Sequence, residues 1–453
     1  MLGLHVTPPG NDAFRFLPFG GIALALGALL LSGATAPAGP PPSPPPARPC
    51  AAATPSHGLT VLCSLLGAPS DAAHPSGGVL VDADGALYAT GYRGGSNDKG
   101  SLFSLTPSGA GYAESVLYSL YTIDGVGPAD TPVRDAAGNI YFTAEAGGAV
   151  PNDCDDPPGC GSIFKMTRSG GVYRRSGLYT FRDSPDGAHP AAALPLGSSV
   201  FVTTAIGGDH ETGAVVRLAS ADLHVLDVAS FAAATDGFAP ESDLAAGDGN
   251  ALYGTTRRGG DGPCGNASGC GTIFAFVPGK DPKELFRFPR GAAGGYDPRG
   301  GLVLEGRTLY GTATLGGGAA KCAEGCGVVY ALKPAGSGYR ETVLHAFEGG
   351  DDGAGPSATL TQFDGYLYGT TTYGGAGCPA NATTPAGCGT IFRIKPDGSK
   401  YATCYRFSGP DGANPRFGKL AVRDGALYGT TANGGSAGDG VVFRYVPATP
   451  SCT

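Results

Sequence analysis

Twelve cysteines are the residues of this 453-residue chain whose spacing points most directly to chemistry. Eight of them form four close pairs: Cys154/Cys160, Cys264/Cys270, Cys322/Cys326 and Cys378/Cys388. Such pairs make either a disulfide or half of a structural zinc site. Zinc needs four ligands, and each of these loops supplies two with no histidine beside them. Disulfide-closed loops are therefore expected. The histidines (His5, His57, His74, His189, His210, His224 and His345) are scattered, and none pairs at metal-ligand spacing. His74 and His189 each stand just before a proline in the same kind of turn, which marks them as loop residues. Neighbouring carboxylates, Asp155/Asp156 and Asp351/Asp352, fall in loops, whereas glycoside cleavage needs carboxyls that face one another. No strand-to-helix turn exists to host a nucleophile elbow. No catalytic residue, metal ligand or cofactor site is expected.

These residues hang on a repeat, and a fixed period has to be recognised before any single element. Leu252-Tyr253-Gly254-Thr255-Thr256 and its relatives occur seven times, with their aromatics at Tyr88, Tyr141, Phe201, Tyr253, Tyr310, Tyr368 and Tyr428. Every copy reaches a Gly-Gly pair, from Gly94-Gly95 to Gly434-Gly435. The fifth copy shows the complete unit as four short segments, residues 301–305, 308–312, 328–332 and 342–347. All four are aliphatic or aromatic and bounded by Gly, Pro, Asp or Ser, as strands are. No sustained 3.6-residue period follows residue 36, so helix should be nearly absent. Four strands per unit of this length match a propeller blade. The spacing predicts an all-β, seven-bladed β-propeller with four-stranded blades. Its last copy lacks a fourth strand, and the orphan strand 59–66 is expected to pair with strand 440–447 and close the ring, hiding sheet edges.

The cysteine pairs acquire a place in this frame. Between the Gly-Gly pair and the glycine opening the third strand, copies one, three and seven have four residues and no cysteine. Copies two, four, five and six have nine to thirteen, and each contains a cysteine pair. Crosslinks offset the entropy of ordering longer loops. Of the other four cysteines, Cys50 and Cys452 flank the closing blade, where a bridge between them would lock the seam. Cys63 and Cys404 occupy like positions in fourth strands of adjacent blades.

Composition narrows the function. Net charge is −8 with 15% charged residues and no basic stripe, which argues against nucleic acid. Residues 1–36 hold an apolar run preceded by Arg15 and followed by small residues, the order of a secretory signal; an uncleaved anchor is the competing reading. Residues 37–57 are a Pro-rich spacer, and 58–453 the propeller. The chain is expected outside the cytoplasm (secreted, periplasmic or on the cell surface) and as a monomer, touching membrane only through an uncleaved N-terminal segment. That segment is also the expected means of any surface attachment, since the chain ends six residues after Pro447.

The unit Leu-Tyr-Gly-Thr-Thr, Gly-Gly, Gly-Thr-Ile-Phe, with Asp-Gly-Ala-x-Pro after the fourth strand, resembles the GloVer tandem repeat over about residues 58–447. Copies two and three depart from it, as Ile140-Tyr141-Phe142-Thr143-Ala144 and Val200-Phe201-Val202-Thr203-Thr204. The resemblance implies an exported protein of the choice-of-anchor kind and carries no catalytic residue. In a meander, second-to-third and fourth-to-first connections share one face of the disc. On that face the residue before each Gly-Gly pair varies: Arg93, Ala146, Ile206, Arg258, Leu315, Tyr373 and Asn433. Divergent loops on a regular scaffold are the usual arrangement of a binding surface. The expected role is a non-catalytic scaffold that binds a protein or glycan there, with Arg258, Tyr373 and Asn433 as candidate contacts. A polysaccharide-active propeller with acids in the central channel is the alternative.

Overall fold

Short apolar segments rich in Val, Ile, Tyr and Thr, set between Gly and Asp turns, favour pleated strands over helix. The computed structural model describes residues 46–51, 55–148, 154, 159–232, 237–260, 269–289, 294–380, 386–447 and 452. Residues 1–36, expected to be a signal or anchor, and most of the Pro-rich stretch 37–57 lie outside the described residues, as does Cys264. Seven antiparallel meander sheets form the blades of a β-propeller. Blade 5, for example, pairs Val303–Glu305, Thr308–Ala313, Val328–Ala335 and Gly338–Ala346 in order. Blade 7 takes its fourth strand from the other end of the chain: Leu59–Ser64 pairs with Val441–Tyr445, Leu59 opposite Tyr445. That pairing closes the ring as expected. Helix among the described residues is limited to two 3-10 turns, Asp248–Asn250 and Gly350–Asp352, and no helix there is long and apolar enough to cross a membrane.

Each position of the repeated pentapeptide has a distinct physical task. Its glycine makes room for an aromatic of the third strand. A Cβ on Gly254 would lie 2.5 Å from Phe274, and one on Gly369 would lie 2.4 Å from Phe392. Copy two has Phe142 instead, which stacks on Phe164 at 4.6 Å. Copy three has Val202 opposite the smaller Val216. The first threonine ties blades together. Its hydroxyl donates to a carbonyl of the next blade's entry segment: Thr90 to Asp130 at 2.7 Å, Thr312 to Ala358 at 3.0 Å and Thr430 to Gly77 at 2.5 Å. The second threonine fixes the turn. Thr256, Thr371 and Thr431 donate to the carbonyls of Arg258, Tyr373 and Asn433, the residues that precede the Gly-Gly pairs.

The Asp-Gly turns are braced from the fourth strand. The hydroxyls of Tyr118 and Tyr405 donate to Asp124 and Asp411, each at 2.5 Å, and His345 Nε2 donates to Asp352 at 3.1 Å. The same aspartates also accept from local backbone, as Asp411 does from Ser408 N. Where one blade hands over to the next, the amide before the conserved proline donates back to the preceding blade. In blades carrying the longer loops the acceptor is the carbonyl of the second cysteine: Cys160, Cys270, Cys326 and Cys388 accept from His189, Asp297, Gly355 and Asn414. The loop crosslink thus steadies an inter-blade contact.

Disulfides join Cys154 to Cys160, Cys322 to Cys326 and Cys378 to Cys388. The seam is locked differently from the expected Cys50–Cys452 bridge. Cys50 joins Cys63, and Cys404 joins Cys452. The reason lies in Arg48–Pro49, within the spacer, which add a fifth strand to blade 1 opposite Glu114 and Ala113. This pairing sets Cys50 at the blade 1 edge, facing Cys63 of blade 7 in a shared apolar cluster. Cys452 packs on the cluster containing Cys404 of blade 6. Two bridges, one on each flank of blade 7, replace the single one. Five disulfides among the described residues belong to an oxidising, extracytoplasmic setting.

Candidate functional site

The variable residue before each Gly-Gly pair is held in an antiparallel bridge to the residue that follows the Asp-Gly turn. Phe238 bridges Arg258, Ala354 bridges Tyr373 and Ala413 bridges Asn433. Blades 1, 3 and 5 repeat the pairing, with Ala73 opposite Arg93, Ala188 opposite Ile206 and Tyr296 opposite Leu315. The loop face is therefore a rigid rim.

Inside that rim run the seven entry segments, each starting at a proline. They pack so closely that a Cβ on Gly77 would lie 2.1 Å from the Asp130 carbonyl, and one on Gly78 2.4 Å from that of Lys419. They surround a cavity of about 470 Å³. All seven blades contribute to it, among others through Gly77, Asp130, His189, Asp243, Arg299, Thr359 and Phe417. A second cavity of about 710 Å³ lies beside the Cys322–Cys326 loop, lined by Lys321, Glu324, Tyr373 and Arg416. Arg299 and Phe417 line both.

The three candidate contacts do not converge. Arg258 lines the central cavity, and no side-chain partner holds its guanidinium among the described residues. Tyr373 lines the second cavity and packs on the core between blades 5 and 6. Asn433 lines neither; its amide donates to Asn414 Oδ1 at 3.1 Å, and Asn414 in turn donates to the Thr372 carbonyl. Its role is to brace the rim.

The central cavity is electrostatically uneven. Arg257 binds Asp297 at 2.7 Å and Glu241 at 3.4 Å, while Arg299 binds Asp297 at 3.0 Å. These guanidiniums are already matched. Asp130 Oδ2 accepts from Thr143 N at 2.9 Å, and Asp243 Oδ2 accepts from the Thr359 hydroxyl at 2.9 Å. Burial holds the Asp130 carboxyl well above the usual carboxylate range, against the opposing pull of its hydrogen bonds from Thr143 and with the Asp243 charge adding to the rise. Burial raises Asp243 too, against the opposing pull of Thr359 and the Lys419 charge.

Asp130, Asp243, Arg299 and Phe417 were not singled out from sequence. The signal was present in the positions that follow the conserved proline, which vary as the Gly-Gly rim does: Glu241, Arg299 and Arg416 stand where other copies have Ser or Ala. The last copy also has one more residue there, between Pro415 and Leu420.

A family model described as the Gloeobacter/Verrucomicrobia repeat matches residues 52–267, 155–384 and 320–453. None of the curated proteins matches the chain in sequence. Among solved structures, the chain is similar to BamB from Moraxella catarrhalis at 14% identity, covering 88% of this chain and 96% of that one, with a TM-score of 0.45. It is also similar to the β-propeller domain of the Trilobed protease from Pyrococcus furiosus, at 8% identity, with 82% and 95% of the two chains covered and a TM-score of 0.42.

Proposed function

The chain belongs to the Gloeobacter/Verrucomicrobia repeat family, and we propose that it is an exported, non-catalytic binding propeller whose ligand enters the central cavity from the stapled-loop face. The supporting observation is the convergence of all seven blades on one cavity of about 470 Å³, within the size range of small-molecule sites. The rim is rigid and its charged groups differ from blade to blade, as ligand discrimination requires. A glycan, or a side chain presented by a surface protein, has the size and polarity for such a site. Export to the periplasm, the medium or the cell surface through the N-terminal segment completes this reading.

A glycan array probed with the full chain tests it. Arg258→Ala and Phe417→Ala should lose capture while melting like the wild type. Capture that survives both changes would place the ligand elsewhere.

The polysaccharide-active alternative has one observation in its favour, the two desolvated carboxyls Asp130 and Asp243 in a single cavity. Release of reducing sugar from a cell-wall polysaccharide panel, abolished by Asp243→Asn, would establish it instead.

A further inference from the structure

Asp130 is 5% exposed and forms part of the cavity wall. Its Oδ2 is satisfied by Thr143 N, yet its Oδ1 is buried with no donor among the described residues. A buried carboxyl oxygen without a partner is costly, and burial favours the neutral acid there; a cation reaching the group from the cavity would relieve that cost by drawing it into its ionised form. Of the cations that line the cavity, Arg257 and Arg299 are committed to Asp297 and Glu241, while Arg258 stands at the rim without an acidic partner among the described residues; Lys419, outside the lining, adds to the field around Asp243. Neither Asp130 nor Asp243 has an ion-pair partner among the described residues, their partners being the neutral Thr143 N and Thr359 hydroxyl.

We propose that the cavity recognises its ligand through a primary ammonium group, held between Asp130 Oδ1 and the Asp243 carboxylate. The proposal rests on the binding reading above and gives it a ligand class. An ammonium has three donors on one centre, and it compensates the charge of a buried carboxylate as a neutral hydroxyl does not. A hard metal ion fits the donors less well, because it seeks six or more oxygens. Among the described residues no cluster of three or more His, Cys, Asp or Glu could hold one. The cavity volume accommodates a single sugar ring or an amino-acid side chain. An amino sugar and a lysine side chain are thus the two sources of the same chemistry.

Calorimetric titration of the full chain separates these sources and tests the idea. The probes are glucosamine against N-acetylglucosamine and glucose, and an end-blocked Gly-Lys-Gly peptide against its Nε-acetyl form. At least one free ammonium compound should bind, with its acetylated counterpart about tenfold or more weaker. Asp130→Asn keeps the acceptor for Thr143 N and should weaken binding by a similar factor. Lys419→Gln, at an exposed position, removes a competing cation and should tighten it. Equal binding of the acetylated forms, binding unchanged in Asp130→Asn, binding of calcium alone, or no binding of either ammonium compound at millimolar concentration would each overturn the proposal. Glycan capture that persists in Asp130→Asn but is lost in Arg258→Ala would overturn the ammonium subsite and leave the binding function standing.

Discussion

Two threonines in equivalent positions give opposite forecasts. Thr312 Oγ1 donates to the Ala358 carbonyl of the next blade at 3.0 Å. Thr370 is its counterpart one blade later, and its Oγ1 is buried with no partner among the described residues. The following entry segment, Pro415 to Leu420, is the one with an additional residue, which moves the carbonyl that other blades present. Thr312→Val should therefore cost about 1 kcal/mol and lower the melting temperature by about 1 °C. Thr370→Val should cost nothing or stabilise slightly, because it removes an unsatisfied hydroxyl. Calorimetry on the pair checks this, and equal losses would remove the inter-blade role assigned to the first threonine. The repeat was legible as framework in the sequence, but the reason for its glycine was not. Gly254 is explained by Phe274, a residue twenty positions further on in a different strand.

The stapled loops act as elements in two ways, and the two can be measured apart. Closing a short loop restricts the unfolded chain, worth about 2 kcal/mol for the four-residue separation of Cys322 and Cys326. The Cys326 carbonyl also accepts from Gly355 N of blade 6 at 2.9 Å. A Cys322→Ser/Cys326→Ser double variant should lose that stability and show faster amide exchange at Gly355, with blades 1 to 3 unchanged. Uniform acceleration over all blades would mean that the staple acts through the unfolded chain alone. The loop pairs were legible because loop length and cysteine content vary together. The pairings of Cys50, Cys63, Cys404 and Cys452 were not, because they depend on Arg48–Pro49 joining blade 1, and a two-residue strand leaves no period to detect. The cavity was hidden for a similar reason: ring closure brings Gly78 against Lys419, more than three hundred positions apart in sequence.

At the scale of the whole ring, the junction of blades 7 and 1 carries a partly buried charge cluster. Arg48, brought there by its strand and by the Cys50–Cys63 bridge, binds Asp71 at 2.6 Å and approaches Glu114 at only 3.8 Å. Asp71 takes most of the guanidinium's charge. Glu114 is left with burial and the repulsion of Asp71, which push it from 4.5 up to about 9, against the weaker opposing pull of Arg48. At neutral pH the folded protein thus keeps a proton on Glu114 that the unfolded chain has released. A state that binds more protons loses ground as pH rises, so this residue makes stability fall between about pH 4.5 and pH 9. Glu114→Gln cannot ionise and retains an acceptor, so it should flatten that slope and gain on the wild type by up to about 1.4 kcal/mol for each pH unit between about 4.5 and 8. Melting temperatures of both proteins from pH 5 to pH 9 decide the matter. Parallel curves would show that Glu114 is ionised in the folded ring, and the seam would then be held by a three-way ion cluster in place of one ion pair and a neutral acid.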